Sequence, residues 1–513
     1  MSLAKGFFTV SGLTIVSRVF GILREAVMTH FLGASIEMDA FTTAFKFPCF
    51  FRKFFAEGGF QSIFVPYYAD FHSVGKSDEA REFSSSIFSL VFWVVGLLTA
   101  TIMIFAREFT ILMAPGFTAH ADKLELATDF VRIIILSVAF ISLSTIYSGI
   151  LVTCKLFFQF AMCPILVNCI LVTSLLLFQD TFSAGNRASY GVLASGIFQF
   201  FYMYAYVKRL QLPGPTITRI RMTQEVKSFL KKLTPVLAGA GVAQVNVLTG
   251  LVYASFLPTG CVTYLHCADR FVQLPLALFG ISMGIVLLPE ISERIARKQE
   301  SDTRCIQEKS LLFTMRLTLP SVVGLVALSV HLISLIYGHG RFPETAVIST
   351  AKVLQVAALG LPAYVASKIA SSILFAQKDA STPIRAAVMS IIANVVLGGI
   401  FIVPLAELGL ALANSIAGVI NVFVMCRKMK MSWKANKATV ITLVKILVAS
   451  LVMWIATQSI DACYERTGML SEISAMSTIF SGGLVVYIAS LYLLGDAEMK
   501  KIIAHGLTKL RKI

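Results

Sequence analysis

Residues 10–71 read VSGLTIVSRVFGILREAVMTHFLGASIEMDAFTTAFKFPCFFRKFFAEGGFQSIFVPYYADF. The run is apolar enough to lie in a bilayer, yet it carries Arg18, Arg24, Glu25, Asp39, Lys46, Arg52, Lys53 and Glu57. A charge near the bilayer centre costs roughly 3 kcal/mol even on insertion scales. Two successive apolar segments with this many charges point to a buried, water-filled, mostly cationic cavity. The remainder of the chain reads as the wall around it.

Composition supports that reading. The chain has 513 residues, of which 57% are hydrophobic and only 14% charged. Its mean hydropathy is +0.79. Soluble domains carry about 25% charged residues, so this is an all-α polytopic membrane protein. A span needs about 20 apolar residues, and that window predicts about fourteen spans, from 7–31 and 37–68 through 383–404, 406–427, 439–460 and 474–495. The net charge of +16 reflects cytoplasmic loops rather than nucleic-acid binding, because no soluble basic domain exists to carry it. The nine cysteines are scattered through apolar runs and match neither a disulfide framework nor a metal spacing. The first apolar run has no small-residue cleavage site and is expected to remain as a helix.

Lys and Arg set the orientation. With a cytoplasmic N-terminus, the inside loops hold dense clusters: Lys208 to Lys232, Arg294 to Lys309, Arg427 to Lys437, and Lys500 to Lys512. The outside segments hold only Arg107, Lys123, Arg187, Arg341 and Arg466. This asymmetry predicts that both termini are cytoplasmic.

A weak internal repeat is visible. Phe31-Leu32, Lys46-Phe47-Pro48 and Val65-Pro66 have counterparts in Phe256-Leu257, Gln273-Leu274-Pro275 and Leu288-Pro289. Six spans per unit return the chain to the same side, so the pseudo-two-fold runs along the membrane normal. The predicted domains are a six-helix lobe over 1–210, a second over 225–430, and two extra helices over 436–500.

Within the second span Asp39, Lys46 and Lys53 are seven apart, nearly two turns, and fall near one face. Lys53 and Glu57 have ion-pair spacing. In the first span Arg18 and Glu25 share a face, and Arg24 shares one with Ser17 and Gly21, where small residues admit a ligand. In the eighth span Asp269 and Arg270 diverge by about 100°, and Pro275, Gly280 and Gly284 offer places to bend. A planar guanidinium presents forked donors to phosphate. Arg18, Arg24, Arg52 and Arg270 facing one cavity suit a polyanionic head group, with Asp39 and Glu57 available to hold them apart. Ser17, Glu25, Lys46, Lys53 and Asp269 are supporting candidates. No Walker loop and no catalytic constellation is present, so a transporter is favoured over an enzyme.

These residues carry a resemblance. Ser17-Arg18-Val19-Phe20-Gly21-Ile22-Leu23-Arg24-Glu25-Ala26, Asp39 to Pro48, Arg52 to Phe60, Ala114-Pro115-Gly116-Phe117 and Ala268-Asp269-Arg270 through Pro275 resemble the motifs of the MurJ (MviN) lipid II flippase family. The resemblance implies the fold of the multidrug/oligosaccharidyl-lipid/polysaccharide exporter superfamily, with two C-terminal helices forming a groove for the lipid tail. It implies flipping of undecaprenyl-pyrophosphate-linked peptidoglycan precursor across the bacterial cytoplasmic membrane by alternating access. The family's cavity arginines match Arg18, Arg24, Arg52 and Arg270, and its acidic cavity residue matches Asp39. The chain departs from the family pattern at Glu25 and Lys53, which keep the charge, and at Gln273, which loses one. The sodium site of some members needs carboxylates where this chain offers Gln244, Asn246 and Asn394, so it is not carried over and no metal or cofactor is expected. The expected partners are lipid II, membrane lipids and other cell-wall synthesis proteins. The rival readings are a polysaccharide-lipid or drug exporter of the same superfamily, and a non-transporting scaffold of a cell-wall synthesis complex.

Overall fold

The computed structural model describes residues 3–55, 59–177, 179–297, 300–429, 437–467, 472–496 and 498–500. Among these residues it is all-α. In the first part of the chain the helices are α1 (Leu3–Leu32), α2 (Ile36–Phe55), α3 (Gly59–Ser73), α4 (Ser77–Ile104), α5 (Ala106–Met113), α6 (Ala121–Thr153), α7 (Phe157–Leu176), α8 (Ala184–Arg209) and α9 (Gln224–Ser255). Then follow α10 (Cys261–Pro275), α11 (Ser282–Ala296), α12 (Glu300–Ala327), α13 (Ser329–Tyr337), α14 (Glu344–Leu359), α15 (Leu361–Ala376), α16 (Ser381–Lys428), α17 (Lys437–Thr467) and α18 (Glu472–Leu493). Among the described residues, seven single helices and the continuous run Cys261–Ile295 through α10 and α11 are long and apolar enough to cross a membrane, and the bent pair α14–α15 makes a ninth candidate. Helices α1, α2 with α3, α8 and α9 lie at further expected spans, and the short α5 lies between two of them.

The breaks have local causes. Proline has no N–H to give the helical ladder, and after Pro275 the chain runs through a π turn, Leu276–Ile281, before α11. That is where the sequence offered a bend, and a π turn is how a helix absorbs an extra residue. Pro362 lies in the first turn of α15, where a proline is tolerated, and α14 and α15 meet there at 41°. Inside α16, two residues past Pro404, Ala406 has φ 47° and ψ −126°. This separates two apolar runs at the predicted 404/406 division. Asp379 opens α16: its carboxylate accepts from Thr382 Oγ1, the Thr382 N–H, Ser381 Oγ and the Ser381 N–H at 2.5–3.0 Å. These bonds, Thr382's hydroxyl foremost, hold its pKa down to about 2. A depressed carboxyl pKa stabilises above the unfolded value, so this cap is intact at neutral pH and its contribution is lost as pH falls from the unfolded value through the folded value of about 2.

Packing groups the residues into two compact units, 1–263 with 339–343, and 264–338 with 344–513. In the first, α6 is the central helix: it is buried along most of its length and packs on α2, α4 and α8. Helix α9 joins this unit through an aromatic cluster. Phe229 meets Phe60, Phe64 and Phe83 edge-on, with ring centroids 5.6, 6.4 and 5.7 Å apart. The chain between α8 and α9 runs extended along α4. Its period of two matches one turn of helix, so the N–H groups of Thr216 and Thr218 donate to Ser85 and Ser89 Oγ at 3.1 and 2.9 Å. Compact units follow packing, whereas the predicted lobes follow the sequence repeat; α9 packs with the first unit and counts by repeat with the second lobe.

In the second unit, α17 and α18 pack on each other through Ile446, Ala449, Met453, Tyr487 and Leu491. A buried ion pair ties this hairpin to α12. Arg316 Nε and Nη2 donate to Asp496 Oδ2 at 3.2 and 2.9 Å, and Tyr487 O–H donates to the Arg316 carbonyl at 2.8 Å.

Candidate functional site

Helix α1 enters the first unit with Ser17 and Arg18 half-buried, followed by Arg24 and Glu25, both buried. Arg24 is 8% exposed. Its Nη1 donates to Asn168 Oδ1 on α7 at 3.1 Å, its Nη2 donates to Glu25, and its guanidinium lies over the Phe45 ring, 5.3 Å from the centroid. Asn168 Nδ2 donates in turn to the Ser17 carbonyl at 3.4 Å. A cation in an apolar helix is thus neutralised, oriented and covered by an aromatic face, as desolvated charge requires. Glu25, expected to share a face with Arg18, accepts from its neighbour Arg24. The expected room on the Arg24 face is present at Gly21, where a Cβ would meet nothing within 4 Å.

Asp39 occupies a different environment from the one predicted. It is fully buried, and among the described residues no arginine is one of its partners. Oδ2 accepts from Lys123 Nζ at 2.7 Å and from the Gly260 N–H at 2.8 Å. Oδ1 accepts from the Thr263 N–H at 3.0 Å and Thr263 Oγ1 at 2.7 Å. A carboxylate at a helix start satisfies N–H groups that lack an intrahelical partner, and here it does so at the first turn of α10. Lys123, expected in an outside loop, is instead 2% exposed, with its ammonium 4.5 Å from the centre of the Phe117 ring. Phe117 is placed by the Pro115–Ala119 turn, and Gly116 N–H donates to Ser255 Oγ at 2.9 Å. Any Cβ on Gly116 would sit 2.3 Å from the Ser255 carbonyl oxygen. The Ala114-Pro115-Gly116-Phe117 motif therefore has a packing reason: it presses the ring under Lys123.

Of the remaining candidates, Lys46 and Arg52 are half-buried on α2, and Lys53 is exposed. Glu57 lies outside the described residues. In the second unit Arg270 is half-buried, with Nη2 3.3 Å from His266 Nε2 one turn earlier. Asp269 is exposed and accepts a hydrogen bond from Gln273 Nε2. Gln273 thus pairs locally, as a donor. Within the first unit the geometry brings together Ser17, Arg24, Glu25 and the unpredicted Asn168, and separately Asp39, Lys123 and Thr263.

The chain as a whole has counterparts among known proteins. The family model described as "Lipid II flippase MurJ" matches residues 28–481. This chain belongs to the MurJ family.

Relatives agree along nearly the full length. A "Probable lipid II flippase MurJ" of Rhizobium meliloti (strain 1021) is 31% identical, with 98% of this chain and 96% of that protein aligned. One of Rickettsia prowazekii (strain Madrid E) is 29% identical, with 96% and 98% aligned. The solved structure "Lipid II flippase MurJ, inward closed conformation" superposes with a TM-score of 0.79 at 28% identity, covering 96% of this chain and 99% of that one. An inward-facing multidrug resistance MATE family transporter of the MOP superfamily shares the fold, with a TM-score of 0.66 at 13% identity over 81% of this chain. The chain is a multi-pass membrane protein of the MurJ fold.

Proposed function

We propose that this MurJ-family member is a transporter, not an enzyme, that flips lipid II, the undecaprenyl-pyrophosphate-linked peptidoglycan precursor, from the cytoplasmic to the outer leaflet. The observation that carries this reading is a guanidinium, Arg24, buried in an apolar helix and held by Asn168, Glu25 and Phe45, in a chain aligned end to end with proteins named lipid II flippases. Arg18, Arg24, Arg52 and Arg270 form the polyanion-binding set, with Lys46 and Lys53 adding positive potential. The head group enters an inward-open cationic cavity while the polyprenyl tail stays in lipid along α17 and α18, and alternating access releases it outside. Both termini are cytoplasmic. The membrane potential, about 2.3 kcal/mol per charge per 100 mV, biases the return of the empty cationic cavity.

Depleting the protein in its host and locating the precursor tests the function. Lipid II is expected to accumulate in the cytoplasmic leaflet, protected from externally added head-group hydrolase. Accumulation in the outer leaflet, or no accumulation, would contradict it.

A further inference from the structure

Between α7 and α8, a cavity of about 550 Å3 opens on the first unit. Its walls are mostly apolar, with Leu166, Ile170, Leu177, Phe182, Tyr190 and Phe198 among them. Asn168, which holds Arg24, is not in its lining. One charged side chain is: Arg187, in the first turn of α8 and 7% exposed. Its Nη1 donates to the Leu175 carbonyl at the end of α7, and its guanidinium lies 5.2 Å from the centre of the Phe31 ring. Its Nε is buried without a hydrogen-bond partner, and no carboxylate among the described residues pairs with it. A carbonyl and an aromatic face orient this cation, but neither supplies a compensating charge, and an uncompensated buried charge is costly.

The dimensions identify what would compensate it. Leu166 to Leu177, along α7 and its C-cap, and Arg187 to Phe198 on α8 each take eleven steps of the chain, about 17 Å at the helical rise. One leaflet of a bilayer's hydrocarbon is about 15 Å deep. The cavity thus has the depth of a single acyl chain, with the cation at the end where α7 finishes and α8 starts.

We propose that this cavity binds one anionic phospholipid, its acyl chain between α7 and α8 and its phosphate on Arg187. In the orientation proposed above, the lipid belongs to the outer leaflet. A zwitterionic lipid brings its own cation beside Arg187 and fits less well, so the site selects for net negative charge. This lipid is a resident of the first unit, separate from the transported substrate.

Native mass spectrometry of the full-length purified protein tests this, using phosphatidylglycerol and phosphatidylcholine of identical acyl chains. Wild type is expected to hold one equivalent of phosphatidylglycerol roughly tenfold more tightly than phosphatidylcholine, the size of one charge-assisted contact. Arg187→Gln should remove that preference, and Arg187→Lys should keep part of it. Ala194→Trp, which fills the cavity from an exposed position, should weaken both lipids. If Arg187→Gln does not fold, wild type and Ala194→Trp decide the matter. Equal binding of the two lipids by wild type, or a preference that persists in Arg187→Gln, overturns the proposal. So does displacement of phosphatidylglycerol by millimolar inorganic phosphate with Ala194→Trp binding normally, which would reveal an anion site with no acyl chain.

Discussion

Asp39→Ala is expected to destabilise the purified protein by about 3–5 kcal/mol, the cost of stranding one partner of a buried ion pair. It leaves the Lys123 ammonium with only the Phe117 ring and removes the acceptor of the Gly260 N–H, the Thr263 N–H and the Thr263 hydroxyl. Lys123→Met should cost less, because the Asp39 carboxylate keeps three donors at the start of α10. The double variant should resemble Lys123→Met more than Asp39→Ala, since no buried cation remains. Arg221→Ala, which breaks an exposed pair with Glu82, is the control and should change stability by less than about 1 kcal/mol. Thermal unfolding in detergent at a fixed scan rate reads all four. Asp39→Ala with wild-type stability but no transport would return Asp39 to the substrate site and refute its structural role.

The second large effect is at Arg24. Arg24→Ala is expected to abolish flipping with insertion intact, because it removes the buried donor set on α1. Arg24→Lys separates charge from geometry. An ammonium keeps the Coulomb attraction but cannot bridge Asn168 and Glu25 while lying flat on Phe45. Loss of one charge-assisted hydrogen bond corresponds to a fall of roughly tenfold or more. Asn168→Leu should move transport in the same direction by a smaller factor, since Glu25 and Phe45 still hold the guanidinium. The measurement is complementation together with head-group binding at matched expression. Wild-type behaviour of Arg24→Lys in both assays would leave a loose electrostatic trap in place of an oriented one.

The contrast between these two residues shows what the sequence carried. Apolar length located the helices, and even the break inside α16 fell between the runs ending at 404 and starting at 406, because Pro404 interrupts the ladder there. Charge inside an apolar run identified Arg24, Glu25 and Asp39 as buried. Their partners were not legible. Lys123 sits among His120, Asp122 and Glu125 and reads locally as loop; only the packing of α2 on α6, 84 residues away, buries it. Asn168 lies 144 residues from Arg24. Its signal was available, since a lone amide within Ile165-Leu166-Val167-Asn168-Cys169-Ile170 needs a polar partner in a membrane. Periodicity alone names a residue that needs a partner and leaves the partner to the tertiary fold. The same holds for Arg187, read as an outside charge and found to be a buried cation.

The central claim, that arginines in apolar helices receive a pyrophosphate head, is tested most directly by reconstitution. The purified protein in vesicles of defined composition is given lipid II in one leaflet, and the fraction that crosses is measured by accessibility to a head-group-specific enzyme. Wild type is predicted to move lipid II with the membrane potential imposed, and a matched lipid with an uncharged linkage far more slowly. The Arg24→Ala, Arg52→Ala and Arg270→Ala proteins should each fall to the rate of protein-free vesicles. Equal rates for both lipids, or undiminished flipping by all three variants at wild-type abundance, would contradict the account.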